Sequence, residues 1–357
     1  MRLILSYIII FLNFIFIIVL ISSLISQYID PNIFWQISFI ALFFPVYVIC
    51  IILTTIYFGF NNKTIMWINI CLILVSIPKI SEYISFISED AKGPAVSVMS
   101  YNVRLFNKLN WIKDEEINKK IVNFINSKNM DIVCIQEYYR LPKNLKFKFK
   151  YQHIGEQRRS SQWHMAILSN YQIINKGTVE INGRKMNNTC IYSDIKINED
   201  TIRVYNIHLA SNSLSETESH LIESPHYENK IFDIGIIGVI NRLKRSFENR
   251  GKEVKQIKYH IENSKYKTII CGDLNDTPIS YAYAEISEDK YDAFKKSGIG
   301  LGSTYFNIPS LRIDYIFYDK TFKSRNFTVY QEKFSDHKAI SADIVINPKC
   351  FNLKLHS

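Results

Sequence analysis

The stretch AVSVMSYNV, residues 95–103, reads as a strand that closes on the polar Asn102. DIVCIQE, residues 131–137, is a short, continuously apolar strand, the pattern of burial on both faces, and it closes on Glu137. Between them, residues 115–127 place Ile117, Ile121, Phe124 and Ile125 on one helical face. Outward from this strand, helix, strand unit, further strands are predicted at 165–169, 189–196, 201–208, 267–272, 313–318 and 338–346. Many strands with interspersed helices predict an α/β fold, a four-layer sandwich with the sheets in the middle and helices outside.

Polar residues recur where the predicted strands end. Besides Asn102 and Glu137 there are Asn206 and His208 in VYNIHL, Asp273 and Asn275 in CGDLNDTP, Asp314 in RIDYIFY, and Asp336 and His337 in FSDHKAI. Each alone is as readily a helix cap, a loop hydrogen bonder or a structural histidine. Six such clusters in one domain point to a site. HExxH, GxSxG and GxxxxGK[ST] are absent, and His220 and His226, in a polar loop, lack companion ligands for zinc.

Together SYNVR, IQE, NIHL, GDLND, RIDYI and SDH resemble, in order and separation, the endonuclease/exonuclease/phosphatase superfamily with its DNase I-like fold, over roughly residues 96–346. The resemblance implies a hydrolase that cleaves phosphate esters by in-line attack of water with a divalent cation, Mg²⁺ or alternatively Mn²⁺. Glu137 matches the principal metal-ligand glutamate, and Asn102 and Asp336 match residues that complete its shell. A few carboxylates with retained waters suit Mg²⁺. His337 matches the histidine that takes a proton from water, and Asp314 its carboxylate partner. Asp273 and Asn275 match residues that position the water and hold the phosphate, with Asp273 the rival base. Asn206 is expected at the substrate phosphate, and His208 matches a second histidine that binds phosphate or protonates the leaving group, which favours a diester. In HMAILSNYQI, His164 stands where the family usually has Gly; it either narrows the cleft or fills a surface gap.

One segment breaks the rhythm of strands, a helical insertion over about 209–266. Ile240, Leu243, Phe247, Val254, Ile257 and Ile261 recur at helical spacing, while Arg242, Lys244, Arg245, Arg250, Lys252, Lys255 and Lys258 make the other face basic. Such a face touches anionic lipid or nucleic acid, or is simply solvated on a docked helix. The docked helix is the favoured reading, because the apolar stripe is narrow and Gly251 weakens the helix.

The first quarter is a different material. A mean hydropathy of −0.02 averages over two unlike parts. Residues 1–90 hold only three basic and four acidic residues, so residues 91–357 carry a net +11 of the chain's +10. No charge lies between Arg2 and Asp30 or between Asp30 and Lys63, and each interval is long enough to cross a bilayer. Spans are expected at about 3–26 and 33–58, with a third, shorter one at 64–86. The resulting organisation is a transmembrane region 1–88, a linker 89–94, a catalytic domain 95–347 and a tail 348–357. Arg2 and Lys63 place the N-terminus and the second turn in the cytoplasm by the positive-inside rule. Three spans then put the catalytic domain on the outer side of a bacterial-type cytoplasmic membrane; two would put it inside. The basic domain favours a polyanionic partner, nucleic acid or anionic lipid, and no protein partner is inferred. Cys50, Cys71, Cys134, Cys190, Cys271 and Cys350 show no metal spacing, and Cys134 and Cys271 are expected as small buried hydrophobes.

Overall fold

Alternating apolar side chains demand a partner surface, and here two sheets supply it to each other. The computed structural model describes residues 2–86, 88–89, 91–155, 164–185, 188–211, 236–308 and 310–346. Cys350, the tail, Asp90 of the expected linker, His220, His226 and the first part of the expected insertion lie outside the described residues. The chain opens with helices α1 (Arg2–Ile25), α2 (Pro31–Ala41), α3 (Phe44–Asn61) and α4 (Lys63–Ile80). Then come β1 (Ile84–Ser85), β2 (Ala95–Asn102), α5 (Ile117–Ser127), β3 (Ile132–Tyr138), β4 (Tyr151–Ile154), β5 (His164–Ser169) and β6 (Gln172–Thr178). A small hairpin of β7 (Glu180–Ile181) and β8 (Arg184–Lys185) leads to β9 (Cys190–Ile197) and β10 (Asp200–His208). After α6 (Ile236–Glu262) follow β11 (Lys267–Asp273), α7 (Tyr281–Ser287), β12 (Lys290–Asp292), α8 (Ala293–Ser297) and β13 (Gly300–Leu301). The last strands are β14 (Asp314–Asp319), β15 (Lys323–Val329) and β16 (Ile340–Val345).

One six-stranded sheet has the order β12-β14-β11-β10-β9-β6, the other β15-β16-β2-β3-β5-β4. Each has a parallel pair at its centre, β10 with β11 and β2 with β3. The sheets meet through Val96, Val98, Ile132, Cys134 and Ile167 on one side and Ile195, Val204, Ile269, Cys271 and Ile316 on the other. Each such side chain taken out of water contributes roughly 1.5–3 kcal/mol. Cys134 and Cys271 face one another here, and burial pushes the Cys134 thiol up, so both act as small hydrophobes. Helix α5 covers the outer face of the second sheet, its Ile117, Ile121, Phe124 and Ile125 packing on Met99, Tyr101, Val133 and Ile135. The end of α6 covers the first, where His260 Nδ1 lies 2.9 Å from Tyr205 Oη and Val254 and Ile257 are buried.

Besides the two-residue strands β1, β7, β8 and β13, the strands that the sequence does not announce are β4, β6, β12 and β15, and these are the four edges of the two six-stranded sheets. An edge strand packs against one neighbour and tolerates polar and charged residues, which also protect it from pairing with other chains. KSRNFTV and QIINKGT are accordingly too polar to read as strands.

By compactness the chain forms two units. One is Met1–Glu82 with Ala210–Lys252 and Asp276–Ala284; the other is Tyr83–Leu209 with Glu253–Asn275 and Glu285–Ser357. Both sheets belong to the second. In the first, α1, α3 and α4 are long and apolar enough to cross a membrane. Their exposed side chains include Ile4, Phe11, Leu53, Phe60 and Val75, a surface that water does not suit. Asn13 and Asn69 exchange amide hydrogen bonds of 3.3 and 2.9 Å, and Asn69 reaches Thr54 Oγ1 at 3.3 Å, polar links between α1, α3 and α4. The helix expected over 33–58 is instead two. Helix α2 bends at Phe34 (φ −149°, ψ 79°), and a new helix begins at Phe44 with Pro45 in its first turn, where a missing N–H costs nothing. The helix expected over 64–86 ends at Ile80, two residues after Pro78.

Asn206 ties the sheets together. It is fully buried on β10, its Nδ2 donates to Ile135 O (2.8 Å) and Ala166 O (2.9 Å), and its Oδ1 accepts from Gln136 Nε2 (2.7 Å). That leaves nothing for a substrate phosphate, so the expected phosphate contact is corrected to a cross-link between sheets. Asn206→Ala therefore strands two carbonyls and one amide, and is expected to lower unfolding stability by about 2–4 kcal/mol with KM unchanged, as read by thermal melting and steady-state kinetics. Gly272 is needed for a different reason: a Cβ there would stand 2.0 Å from Ile207 O on the adjacent strand. Gly272→Ala is expected to cost about 3 kcal/mol, seen as a fall in melting temperature.

Candidate active site

The inward faces of the strands turn from apolar to polar at one end of the sandwich. On β2 and β3, which run parallel, that end is the C-terminus, and it carries Asn102 and Glu137. On β10 and β11 it carries His208 and Asp273, which are register partners. Asp314 reaches the same end by opening its strand rather than closing one, because β14 runs antiparallel to β11 with Asp314 opposite Asp273. Asp336 and His337 likewise precede β16, which runs antiparallel to β2. The expectation that all the polar clusters close strands is thus corrected for these three residues.

Asn102 Nδ2 donates to Glu137 Oε1 (3.2 Å) and to Asp273 Oδ2 (3.0 Å), joining the two sheets. Its Oδ1 accepts from Arg104 N (3.0 Å), so the amide nitrogen, not the oxygen, faces the carboxylates. Glu137 sits on a bulge of β3, between Ile135 and Tyr138, with φ at +50°. A bulge re-aims one side chain out of the strand's alternation. His208 Nε2 lies 3.6 Å from Glu137 Oε1 and 3.8 Å from Asp273 Oδ2, buried and without a hydrogen bond. Asp273 is fully buried; its Oδ1 accepts from Asn275 N (2.7 Å). Asn275, at φ +52°, spends its amide on Leu209 O (3.0 Å).

His337 Nδ1 lies 3.0 Å from Asp314 Oδ2, and its Nε2 lies 3.6 Å from Asp273 Oδ2. Burial pulls the imidazole down, but the charges of Asp314 and Asp273, the hydrogen bond to Asp314 and the charge of Asp336 outweigh it and hold His337 well above its ordinary value. Burial pushes the Asp314 carboxyl up to about 6 against the opposing pull of His337. The pair is thus built to stabilise an imidazolium. Two neighbours carry no sequence signal of their role. Thr304 Oγ1 accepts from Ile313 N and Asp314 N, which fixes the start of β14, and the Tyr305 ring stands edge-on to His337 at 5.2 Å.

Asp336 is held by Arg104 Nε at 3.3 Å, and Ser335 Oγ donates to Asn102 O (2.8 Å), tying this loop to β2. Arg104, Leu105, Phe106 and Asn107 all have positive φ, 44°, 54°, 53° and 62°. A left-handed turn of ordinary residues costs roughly 1–2 kcal/mol each. It is secured by Phe106, buried against Tyr138 and Phe147, and by Asn107, whose amide makes two hydrogen bonds to the Ile112 backbone. The Arg104 guanidinium lies 4.2 Å from the Trp111 ring centre. His164 is buried on β5 opposite Tyr138, beside the Glu137 bulge, so it does not fill a surface gap.

Glu137, Asp273, Asp314 and Asp336 thus converge. Asp273, Asp314 and His337 offer ligand atoms within 4.8 Å of one another. Four carboxylates, an orphaned buried imidazole nitrogen on His208 and one neutral amide between two of the acids make a donor set with excess negative charge. Hard oxygen donors of this kind fit a divalent cation.

A family model described as Endonuclease/Exonuclease/phosphatase family matches residues 99–337, and a second, Domain of unknown function (DUF8431), matches residues 6–83. No curated protein matches the chain. Among solved structures it is similar to an endonuclease/exonuclease/phosphatase family protein from Bacteroides thetaiotaomicron, at 14% identity and a TM-score of 0.54, covering 72% of this chain and 97% of that one. It is similar to a humanized D. rerio TDP2 at 15% identity and TM-score 0.51, covering 71% and 99%. The human Nocturnin catalytic domain with bound sulfate anion gives 18%, 0.50, 71% and 95%. These likenesses show the shared fold, and the family match spans the polar clusters from Asn102 to His337. The chain belongs to the endonuclease/exonuclease/phosphatase family and is a hydrolase of phosphate esters.

Proposed function

We propose that the protein is a membrane-anchored, divalent-metal-dependent phosphodiesterase of nuclease type. The observation that carries this reading is the meeting of Glu137, Asn102 and Asp273 with both His208 and His337 at one end of the sandwich. Glu137 would hold the cation, with Asp273 and Asp336 beside it. Asn102 turns its amide nitrogen to the carboxylates, so it serves to orient Glu137. A cation bound there, Mg²⁺ or Mn²⁺, neutralises charge on a phosphoryl oxygen. A cation among these carboxylates would offset the negative charge that holds His337 protonated, and the neutral ring, oriented by Asp314, would then take the proton of the attacking water, with Asp273 beside its Nε2 as the alternative acceptor. His208, whose Nε2 lies 3.8 Å from the same Asp273 Oδ2, donates to the leaving oxygen or to the phosphate.

The anchor rests on three apolar helices. The turn after α1 and the end of α4 reach the same short segment: Ser26 Oγ lies 2.9 Å from Ile279 O, and Glu82 accepts from Tyr283 Oη (2.8 Å). Both ends therefore lie on one face of the helices, which supports an odd number of crossings. With Arg2 and Lys63 cytoplasmic, the catalytic residues stand on the outer side. A second reading, hydrolysis of lipid-linked phosphate, is favoured by one observation: Arg242, Lys244 and Arg245 of α6 fall in the same compact unit as the apolar helices.

The full chain in detergent, assayed with bis(p-nitrophenyl) phosphate, oligonucleotides and mixed phospholipid vesicles, tests the proposal. Activity is expected to vanish with EDTA and return with Mg²⁺ or Mn²⁺. Glu137→Ala and His337→Ala are each expected to lower kcat by about 10²-fold or more. Hydrolysis indifferent to EDTA and to both substitutions would sink it, and turnover of vesicle lipid alone would select the second reading. The anchor is expected to hold the chain in membranes through alkaline carbonate washing; release into the supernatant counts against it.

A further inference from the structure

The strands of the two large sheets hide their apolar side chains; one small ribbon presents them. β1 and β13 pair antiparallel, with Ile84 opposite Leu301 and Ser85 opposite Gly300. The ladder runs on at Tyr83, whose carbonyl accepts from Gly302 N (3.4 Å). In the other direction the same register sets Phe86 against Ile299. Alternate residues of a strand point to opposite faces, so Ile84, Phe86, Ile299 and Leu301 share one face. The opposite face is turned inward: Tyr83 and Ser85 are buried, and a Cβ on Gly302 would stand 2.7 Å from Arg312 Cδ and 2.8 Å from Phe294 Cζ. The apolar face is uncovered. Phe86 is 85% exposed, Ile299 73% and Leu301 59%. Single exposed apolar residues are ordinary; a ribbon whose whole outer face is apolar marks an interaction surface.

The partner follows from where the chain of the ribbon comes from. Helix α4, long and apolar enough to cross a membrane, ends at Ile80, and β1 begins at Ile84. Four residues reach at most about 14 Å, so a helix that ends in the head-group layer delivers the chain into the ribbon at the membrane surface. Basic residues flank both strands along the chain. Lys79 is in the last turn of α4, and Lys295 and Lys296 are in the last turn of α8, just before Ile299, with Lys296 also 3.5 Å from Glu89. Apolar and aromatic side chains bordered by lysines suit a lipid interface, where the lysines meet anionic head groups.

We propose that the outer face of the β1–β13 ribbon rests in the lipid interface, so that the chain meets the bilayer a second time through Phe86, Ile299 and Leu301. The inference rests on the membrane reading of the apolar helices. It bears on the site through β13. Beyond Leu301 the chain passes Thr304, whose hydroxyl accepts from Ile313 N and Asp314 N, and Tyr305, whose ring stands 5.2 Å from that of His337. Leu301 and Tyr305 are four residues apart, about 14 Å at full stretch, so a docked ribbon keeps Tyr305 close to the head groups.

The test uses the full chain in nanodiscs of phosphatidylcholine and phosphatidylglycerol. Cys50, Cys71 and Cys350 are replaced by serine, which leaves the buried Cys134, Cys190 and Cys271. Phe86→Cys and Ile299→Cys then each take a nitrobenzoxadiazole label, and Glu199→Cys, on the exposed turn between β9 and β10, is the reference. With a nitroxide placed high on the lipid acyl chains, emission at 86 and 299 is expected to fall by about half and emission at 199 to stay constant. Emission at 86 and 299 that the nitroxide does not lower overturns the inference, whether its colour reports water or a covering protein surface, a second copy of this chain included. Loss of the chain to a carbonate wash overturns the membrane reading instead, and hydrolysis of bis(p-nitrophenyl) phosphate tests the phosphodiesterase reading independently of both.

Discussion

The amide nitrogen of Asn102 is shared between Glu137 on its own sheet and Asp273 on the opposite one, and the site is arranged around that bridge. A fully buried carboxylate and a partly buried one from different sheets approach each other only if donors and positive charge offset their repulsion and the loss of water. Asn102 supplies one donor. His208 stands beside both acids, and His337, paired with Asp314, reaches the same Asp273 Oδ2. A divalent cation is the natural complement to what remains.

The sandwich makes this convergence possible through strand direction. Parallel strands in the centre of each sheet bring C-terminal residues to one end, and antiparallel neighbours bring their first residues to the same end. Rigid strands hold the side chains, while the strained turn at Arg104–Asn107 and the bulge at Glu137 adjust the aim. Strain of this kind persists only where surrounding packing enforces it, and Phe106 and Asn107 provide that enforcement.

The apolar helices and the first half of α6 form one compact unit, which holds specific polar contacts. Asn32 reaches the α6 backbone, and Arg250 gathers the two chain segments that leave His208 and Asn275.

The interior of the fold was legible from residue order alone. Central strands such as β3 and β11 are continuous apolar runs, α5 shows its helical stripe, and the two longest uncharged stretches announce apolar helices. The polar residues at strand ends were legible too, because a carboxylate or histidine interrupts a pattern that burial would otherwise keep apolar. Edge strands were not, since half-exposed positions accept any polar residue. Nor were the duties of Asn206 and Arg250. A buried asparagine that links sheets and one that contacts substrate look alike in a strand, and an arginine on a basic helix looks solvated until its partners are placed beside it. Local sequence sets which residues are polar; only the packing of distant segments decides which of those polar groups face each other, because hydrogen bonds and ion pairs depend on distances that a linear pattern does not contain.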